Sequence, residues 1–161
     1  MPPAPRAAQV DAHAPEIDTI EAAARLRLAA TRLARRLRQH SESGLTPSQH
    51  AALATIERCG SLTLGRLAEA ERVSAPTITR VVALLEEQAL VERRPDPADG
   101  RATLVQLTDD GQTLLTTVRR QRTAWLADRL DSLDEGQVRR LVDALQVLEL
   151  IGDDADAPRP A

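Results

Sequence analysis

Across residues 63–107 the spacing of apolar side chains changes from helical to alternating, and that change narrows the possible folds more than any other feature. Leu64, Leu67 and Ala68 share one side of a short helical segment, Leu64–Ala70, with Thr63 placed to cap it. A brief turn, Glu71-Arg72-Val73, follows. Ser74 then stands where a cap is needed for a second helix over 75–89, whose inward stripe is Ile78, Val81, Val82 and Leu85. After it the period shortens to two. Residues 90–94 and Thr103–Leu107 read as strands, and Pro95-Asp96-Pro97-Ala98-Asp99-Gly100 between them is dense in turn formers. Two short helices joined by a tight turn, followed directly by a β-hairpin, make a helix-turn-helix with a wing.

The flanks are helical. A first helix is expected over 16–43, with Leu26, Ala30, Leu33 and Leu37 on one face and Gly44 ending it in a left-handed conformation. Thr46, Pro47 and Gln49 form a capping box opening the next helix, with Leu53 and Ile56 inward and Gly60 closing it. Beyond the wing, Thr108 caps a long helix, Asp109–Leu130, whose first-turn aspartates complement the helix dipole. Leu114, Val118, Gln121 and Trp125 are expected on its packed face. Asp134 and Gln137 form another capping box, and Val138, Leu141, Val142, Leu145 and Leu148 make the stripe of the last helix, extended by Ile151. The chain has no Phe or Tyr and a single Trp, so Leu, Val, Ile and Ala must supply the core. The fold class is therefore mainly α with a small β-hairpin wing. A winged helix-turn-helix over 45–108 is flanked by terminal helices over 16–43 and 109–151. Residues 1–15 read as a mobile arm, and 152–161, acidic and proline-containing, as a disordered tail. The apolar stripe of the last helix is too extensive for a solvated surface, so a second copy is expected to cover it, the alternative being a monomer that folds it onto its own winged domain.

Charge and composition exclude several classes. A net charge of −3 argues against a non-specific polyanion binder but not against a sequence-specific one, because the field at the docking face decides. Cys59 is the single cysteine, which rules out an internal disulfide and fits a reducing cytoplasm. The opening MPPAPRAAQ lacks the apolar run of a signal peptide, and no segment reads as membrane-spanning. There is no Ser-His-Asp arrangement, glycine-rich phosphate loop or His/Cys cluster, so neither catalysis nor a cofactor or metal is expected. His13, His40 and His50 stand alone without ligand spacing.

Several stretches resemble one known family. Leu45-Thr46-Pro47-Ser48-Gln49 is similar to the opening of the second helix of MarR-type regulators, and Thr63-Leu64-Gly65-Arg66-Leu67-Ala68 to their third. Ser74 to Glu86 (SAPTITRVVALLE) resembles their recognition helix. Leu90-Val91-Glu92-Arg93, Asp99-Gly100-Arg101-Ala102 and Val105-Gln106-Leu107-Thr108-Asp109-Asp110-Gly111 resemble their wing and the start of their fifth helix. The resemblance extends over about residues 17–151.

It implies a homodimeric, cytoplasmic transcription regulator, most often a repressor, on palindromic double-stranded DNA. The first, fifth and sixth helices would pair the subunits, with Leu26, Leu33, Trp125, Leu141, Leu145 and Leu148 as candidate interface residues. A small anionic or phenolic effector would release the DNA. Arg32 and Arg36 are candidates for holding it, because the first helix carries six arginines and no acid between Ala22 and Ser41. A recognition helix reads the major groove with its N-terminal residues, here Ser74, Ala75, Pro76, Thr77, Thr79 and Arg80. Arg101 at the hairpin tip suits the negative potential of a narrow minor groove, with Asp99 to aim it. Arg93 and Arg94 are weaker candidates for phosphate contacts. Over 63–101 seven acids face six arginines, so binding requires Glu69, Glu71, Glu86 and Glu87 to lie off the docking face. The alternative from another class is a protein-interaction module that uses the winged fold without DNA.

Overall fold

The computed structural model describes residues 18–41, 43–100 and 102–152. The chain divides into two units, Met1–Arg36 and Leu37–Ala161. The expected arm at 1–15, Arg101, and all of the expected tail except Gly152 lie outside the described residues.

In the first unit the described chain is most of α1 (Thr19–Gln39). The Asp18 carboxylate caps it, accepting from the backbone N–H groups of Ile20 and Glu21 at 2.9 and 3.2 Å. No residue of α1 is buried. The helix ends at Gln39, four residues before the expected boundary of Ser43. Gly44 does take a positive φ, +64°, but in the connection beyond the helix rather than at its cap. The second unit explains the early stop, because His40 and Ser41 are drawn into side-chain contacts with the fifth helix.

The second unit continues through α2 (Pro47–Cys59), β1 (Leu62–Thr63), α3 (Leu64–Ala70), α4 (Ala75–Glu87), β2 (Val91–Pro95), β3 (Thr103–Leu107), α5 (Asp109–Leu130) and α6 (Glu135–Gly152). Local chemistry sets most of these starts. The reciprocal bonds of the Thr46–Gln49 box are present at 2.8 and 3.3 Å, and those of Asp134–Gln137 at 3.0 and 2.8 Å. Thr63 and Thr108 accept from the N–H groups of Arg66 and Gly111. Ser74 occupies the cap position of α4, but its hydroxyl bonds that of Thr77 at 2.8 Å and makes no bond to the helix backbone.

The helix ends are less conventional. After α3, Arg72 donates to the Glu69 carbonyl and Val73 to that of Ala68; after α4, Ala89 donates to Glu86 and Leu90 to Leu85. Both are Schellman closures, which need a left-handed residue. Arg72 and Ala89 fill that place at φ +52° and +56°, where glycine is the usual occupant. Helix α4 consequently ends at Glu87, two residues before the expected limit.

The sheet is antiparallel in the order β1-β3-β2. The hairpin aligns Val91 with Leu107, Glu92 with Gln106, Arg93 with Val105 and Arg94 with Leu104. The strand β1 was not expected from sequence. It pairs Leu62 with Val105, and Leu62 joins the core. That core takes Ala52, Leu53 and Ile56 from α2, Leu67 and Ala68 from α3, and Ile78, Val82 and Leu85 from α4. Leu90, Val91 and Val105 come from the hairpin, and Leu115 from α5. The packed face of α5 is Gly111, Leu115 and Val118. Leu114 is only partly buried and Gln121 is exposed, correcting the expected face by one residue. The cause is Gly111: without a side chain it lies directly against the Leu90 carbonyl, and this contact fixes the rotation of the helix. Helix α6 buries no residue within the chain.

Candidate nucleic-acid interface

Burial of Ile78, Val82 and Leu85 turns the opposite side of α4 outward. Ser74, Ala75, Pro76, Thr77, Thr79 and Arg80 are all exposed there. The Ser74 and Thr77 hydroxyls bond each other, and Thr79 donates back to the Ala75 carbonyl at 2.8 Å. Arg80 makes no ion pair among the described residues.

The acids distribute unevenly. Glu71 accepts from the Thr55 hydroxyl at 2.6 Å, Glu69 pairs with Arg66 at 3.7 Å, and Glu86 pairs with Arg93 at 2.9 Å. Glu87 is different: it is exposed on the outward side of α4, seven residues and roughly 10 Å beyond Arg80. The negative charge on that face therefore stands at the C-terminal end, away from the first turns of α4.

The wing carries Arg93 and Arg94 on neighbouring positions of β2, so their side chains leave opposite faces of the sheet. Arg94 pairs with Glu92 at 2.8 Å, and Glu92 also accepts from the Gln106 amide at 2.7 Å. Those two bonds, Gln106 first, hold the Glu92 carboxyl below the usual carboxylate range. Ser61 extends this row to the third strand by bonding Gln106 at 3.2 Å. Asp99 lies at the turn, where its carbonyl accepts from the Ala102 N–H at 2.8 Å, and Asp96 accepts from the Ala98 N–H.

A second constellation gave no local sequence signal. The His40 ring stacks on Trp125 at 5.0 Å between centroids, and the Arg129 guanidinium lies 5.4 Å from the Trp125 centroid. Arg122 donates to the Ser41 hydroxyl at 3.2 Å, and burial, then the neighbouring Arg38 charge, lowers its pKa. Burial, followed by the charges of Arg122 and Arg119, lowers that of His50. His50 Nε2 and Trp125 Nε1 are buried without a hydrogen-bond partner among the described residues. Nearby, Glu57 of α2 accepts from both Arg119 and Gln112 of α5; the Arg119 bond is the main reason its carboxyl titrates low.

Of the remaining candidates, Arg32 and Arg36 are exposed on α1, as are Leu26 and Leu33. Leu141, Leu145 and Leu148 are exposed on α6, and Trp125 is half-buried. Cys59 is half-buried against the core, in keeping with a small apolar role. Among the described residues no helix is long and apolar enough to cross a membrane.

Residues 43–102 match the model of the MarR family. An HTH-type transcriptional regulator of Mycobacterium leprae is 42% identical over 130 residues, which is 80% of this chain and 91% of the relative. The chain belongs to the MarR family. Like its relatives, this MarR-family chain is a transcription regulator with a winged helix-turn-helix, in a family that binds DNA. A transcriptional regulator protein of Pseudomonas aeruginosa superposes with a TM-score of 0.76 at 31% identity, over 86% of this chain and 99% of that one. A Staphylococcus aureus MepR variant bound to an oligodeoxyribonucleotide shares the MarR fold, with a TM-score of 0.64 at 20% identity over 79% of this chain and 94% of that one. The Bacillus subtilis transcriptional repressor MdtR is 30% identical over 102 residues, 63% of this chain and 66% of its own length.

Proposed function

We propose that this MarR-family regulator is a cytoplasmic repressor that binds a palindromic operator as a homodimer and leaves it when a small anionic or phenolic effector binds. The observation that carries the DNA-reading part is the outward face of α4. It offers Ser74, Thr77 and Thr79 hydroxyls, the small faces of Ala75 and Pro76, and an Arg80 that no acid among the described residues engages. Arg80 suits a guanine or a phosphate, and the methyls of Ala75 and Thr77 suit a thymine methyl. In the wing, Arg101 enters a minor groove with Asp99 aiming it, and Arg94 lies nearer the backbone than the bases. The DNA complex of MepR and the repressor role of MdtR support this reading.

Dimerisation is supported by two helices that bury nothing within one chain. Leu26 and Leu33 on α1, and Leu141, Leu145 and Leu148 on α6, are 36–45% exposed. Water is a poor solvent for such stripes, and pairing with a second copy, with Trp125 at the margin, would cover them. For the effector, Arg32 and Arg36 stand on the acid-free part of α1. His50, Arg122 and Trp125 present a half-buried cationic and aromatic setting with two orphaned nitrogens. Within that second unit, an aromatic anion would suit the Arg122 charge and the Trp125 ring.

The test is a gel-shift titration against duplexes that the wild-type chain enriches from fragmented genomic DNA. Arg101→Ala and Arg80→Ala should each weaken binding at least tenfold while leaving thermal unfolding unchanged. Retained affinity in both variants, or no enrichment of any fragment at low salt, would favour the protein-interaction module instead.

A further inference from the structure

We infer that Glu86 and Arg93 form a clamp that sets the wing against the recognition helix, which makes Arg93 a positioning residue and leaves phosphate contact to others. This rests on the DNA-binding reading above.

The strand register makes the first part of the case. Arg93 is paired directly with Val105, so the two side chains leave the same face of the sheet. Val105 and Val91, two residues from Arg93 on that face, are buried in the core. Arg93 therefore departs from the core-facing side of the wing. Arg94 departs from the other side, with Glu92 and Gln106. Two neighbouring arginines on opposite faces of one strand do not present their charges to one phosphate backbone.

The second part is what Arg93 meets. Its Nε donates to Oε2 of Glu86, in the last turn of α4, at 2.9 Å. The two side chains are 35% and 31% exposed, against 61% and 40% for the Arg94–Glu92 pair. Water screens the clamp less than the outer pair. Between Glu86 and Arg93 the backbone makes the left-handed closure at Ala89 and turns into β2. The side-chain bond thus spans the corner where the chain passes from α4 into the wing.

That corner matters because docking needs both ends at once. The groove-reading turns lie at the start of α4, and the turn around Asp99 lies at the far end of the hairpin. Asp99 is six positions on from Arg93, so the turn stands roughly 15 Å out, and a rotation of about five degrees at the corner moves it by about 1 Å. Displacements of that size break bidentate and groove contacts. A partly exposed pair contributes little to folding, so its loss should appear in DNA binding and not in melting.

The experiment uses the full chain and a labelled duplex whose sequence the wild-type protein enriches from a random-sequence pool. Affinity is measured over a salt series for Glu86→Ala, Arg93→Ala and the exchanged pair Glu86→Arg with Arg93→Glu. The clamp requires both single variants to weaken binding by a similar factor, about tenfold. The slope of log affinity against log salt should stay unchanged, and the exchange should recover most of the loss. Tighter binding by Glu86→Ala would overturn it, since that is what freeing a phosphate-contacting arginine produces. So would a salt slope reduced by about one in Arg93→Ala, or an exchange that recovers nothing. If the wild-type chain enriches no sequence, the DNA-binding reading itself fails before the clamp is reached.

Discussion

Replacing Gly111 by alanine should destabilise the fold, although helix propensity alone predicts the reverse. Gly111 is the third residue of α5, and its N–H donates to the Thr108 hydroxyl at 3.0 Å. Thr108 in turn donates its hydroxyl to the Ala89 carbonyl at 2.6 Å and its N–H to the Leu90 carbonyl at 3.2 Å. These bonds staple the start of α5 to the chain leaving α4. A β-carbon on Gly111 would stand 2.1 Å from the Leu90 carbonyl oxygen and 3.3 Å from a Leu107 methyl, whereas ordinary contact begins near 3.4 Å. The obstructing atom is backbone, so α5 must retreat by about 1.3 Å or tilt. Alanine in a helix gains about 1 kcal/mol over glycine. Against this stand about 1 kcal/mol for each of two stretched hydrogen bonds and about 1–3 kcal/mol for overpacking. The expected net loss is about 3 kcal/mol, or a melting point lower by roughly 6–12 °C. Urea unfolding followed by circular dichroism, at fixed protein concentration, measures it. Gly65→Ala is the control, because a β-carbon there meets only the Thr63 hydroxyl oxygen, at 3.9 Å, and the helix gain should appear. A Gly111→Ala protein as stable as wild type, or more so, would refute the close approach.

Burial and two neighbouring guanidinium groups lower the His50 pKa in the folded chain, so the unfolded imidazole takes up a proton more readily as pH falls below about 6.5. Stability should therefore be level above that pH and decline below it, and His50→Gln should flatten the decline in melting curves from pH 7 to 5. Arg72→Gly should stabilise by about 0.5 kcal/mol, the left-handed penalty of about 1–2 kcal/mol being offset in part by glycine's entropy. Chemical denaturation of the variant checks this, and a loss of stability would contradict it. Leu145→Asp combined with Leu148→Asp should convert the protein to a monomer by light scattering; an unchanged dimer would place the interface elsewhere.

Much of this fold could be read from adjacent residues. The capping boxes at Thr46–Gln49 and Asp134–Gln137 and the extents of α3 and α5 rest on bonds within a few positions, and the hairpin on two strands joined by one turn-rich stretch. The side chains that make them announce themselves in order. Even the glycine of the fifth-helix opening was visible as a family likeness. What it does there, lying against the Leu90 carbonyl, was not.

The residues that required the tertiary structure are those whose partners lie far along the chain. The two-residue strand β1 exists only because β3 offers a free edge far along the chain, with Leu62 facing Val105, 43 positions away. Helix α1 stops early because His40 and Ser41 find Trp125 and Arg122, and no local pattern predicts a contact over 81 residues. Arg93 and Arg94 look equivalent in the sequence; the sheet register sends one to Glu86 and the other to Glu92. Periodicity and capping are properties of short segments, so composition order settles them. Which face of a helix packs, and which acid each arginine meets, depends on how segments close on one another.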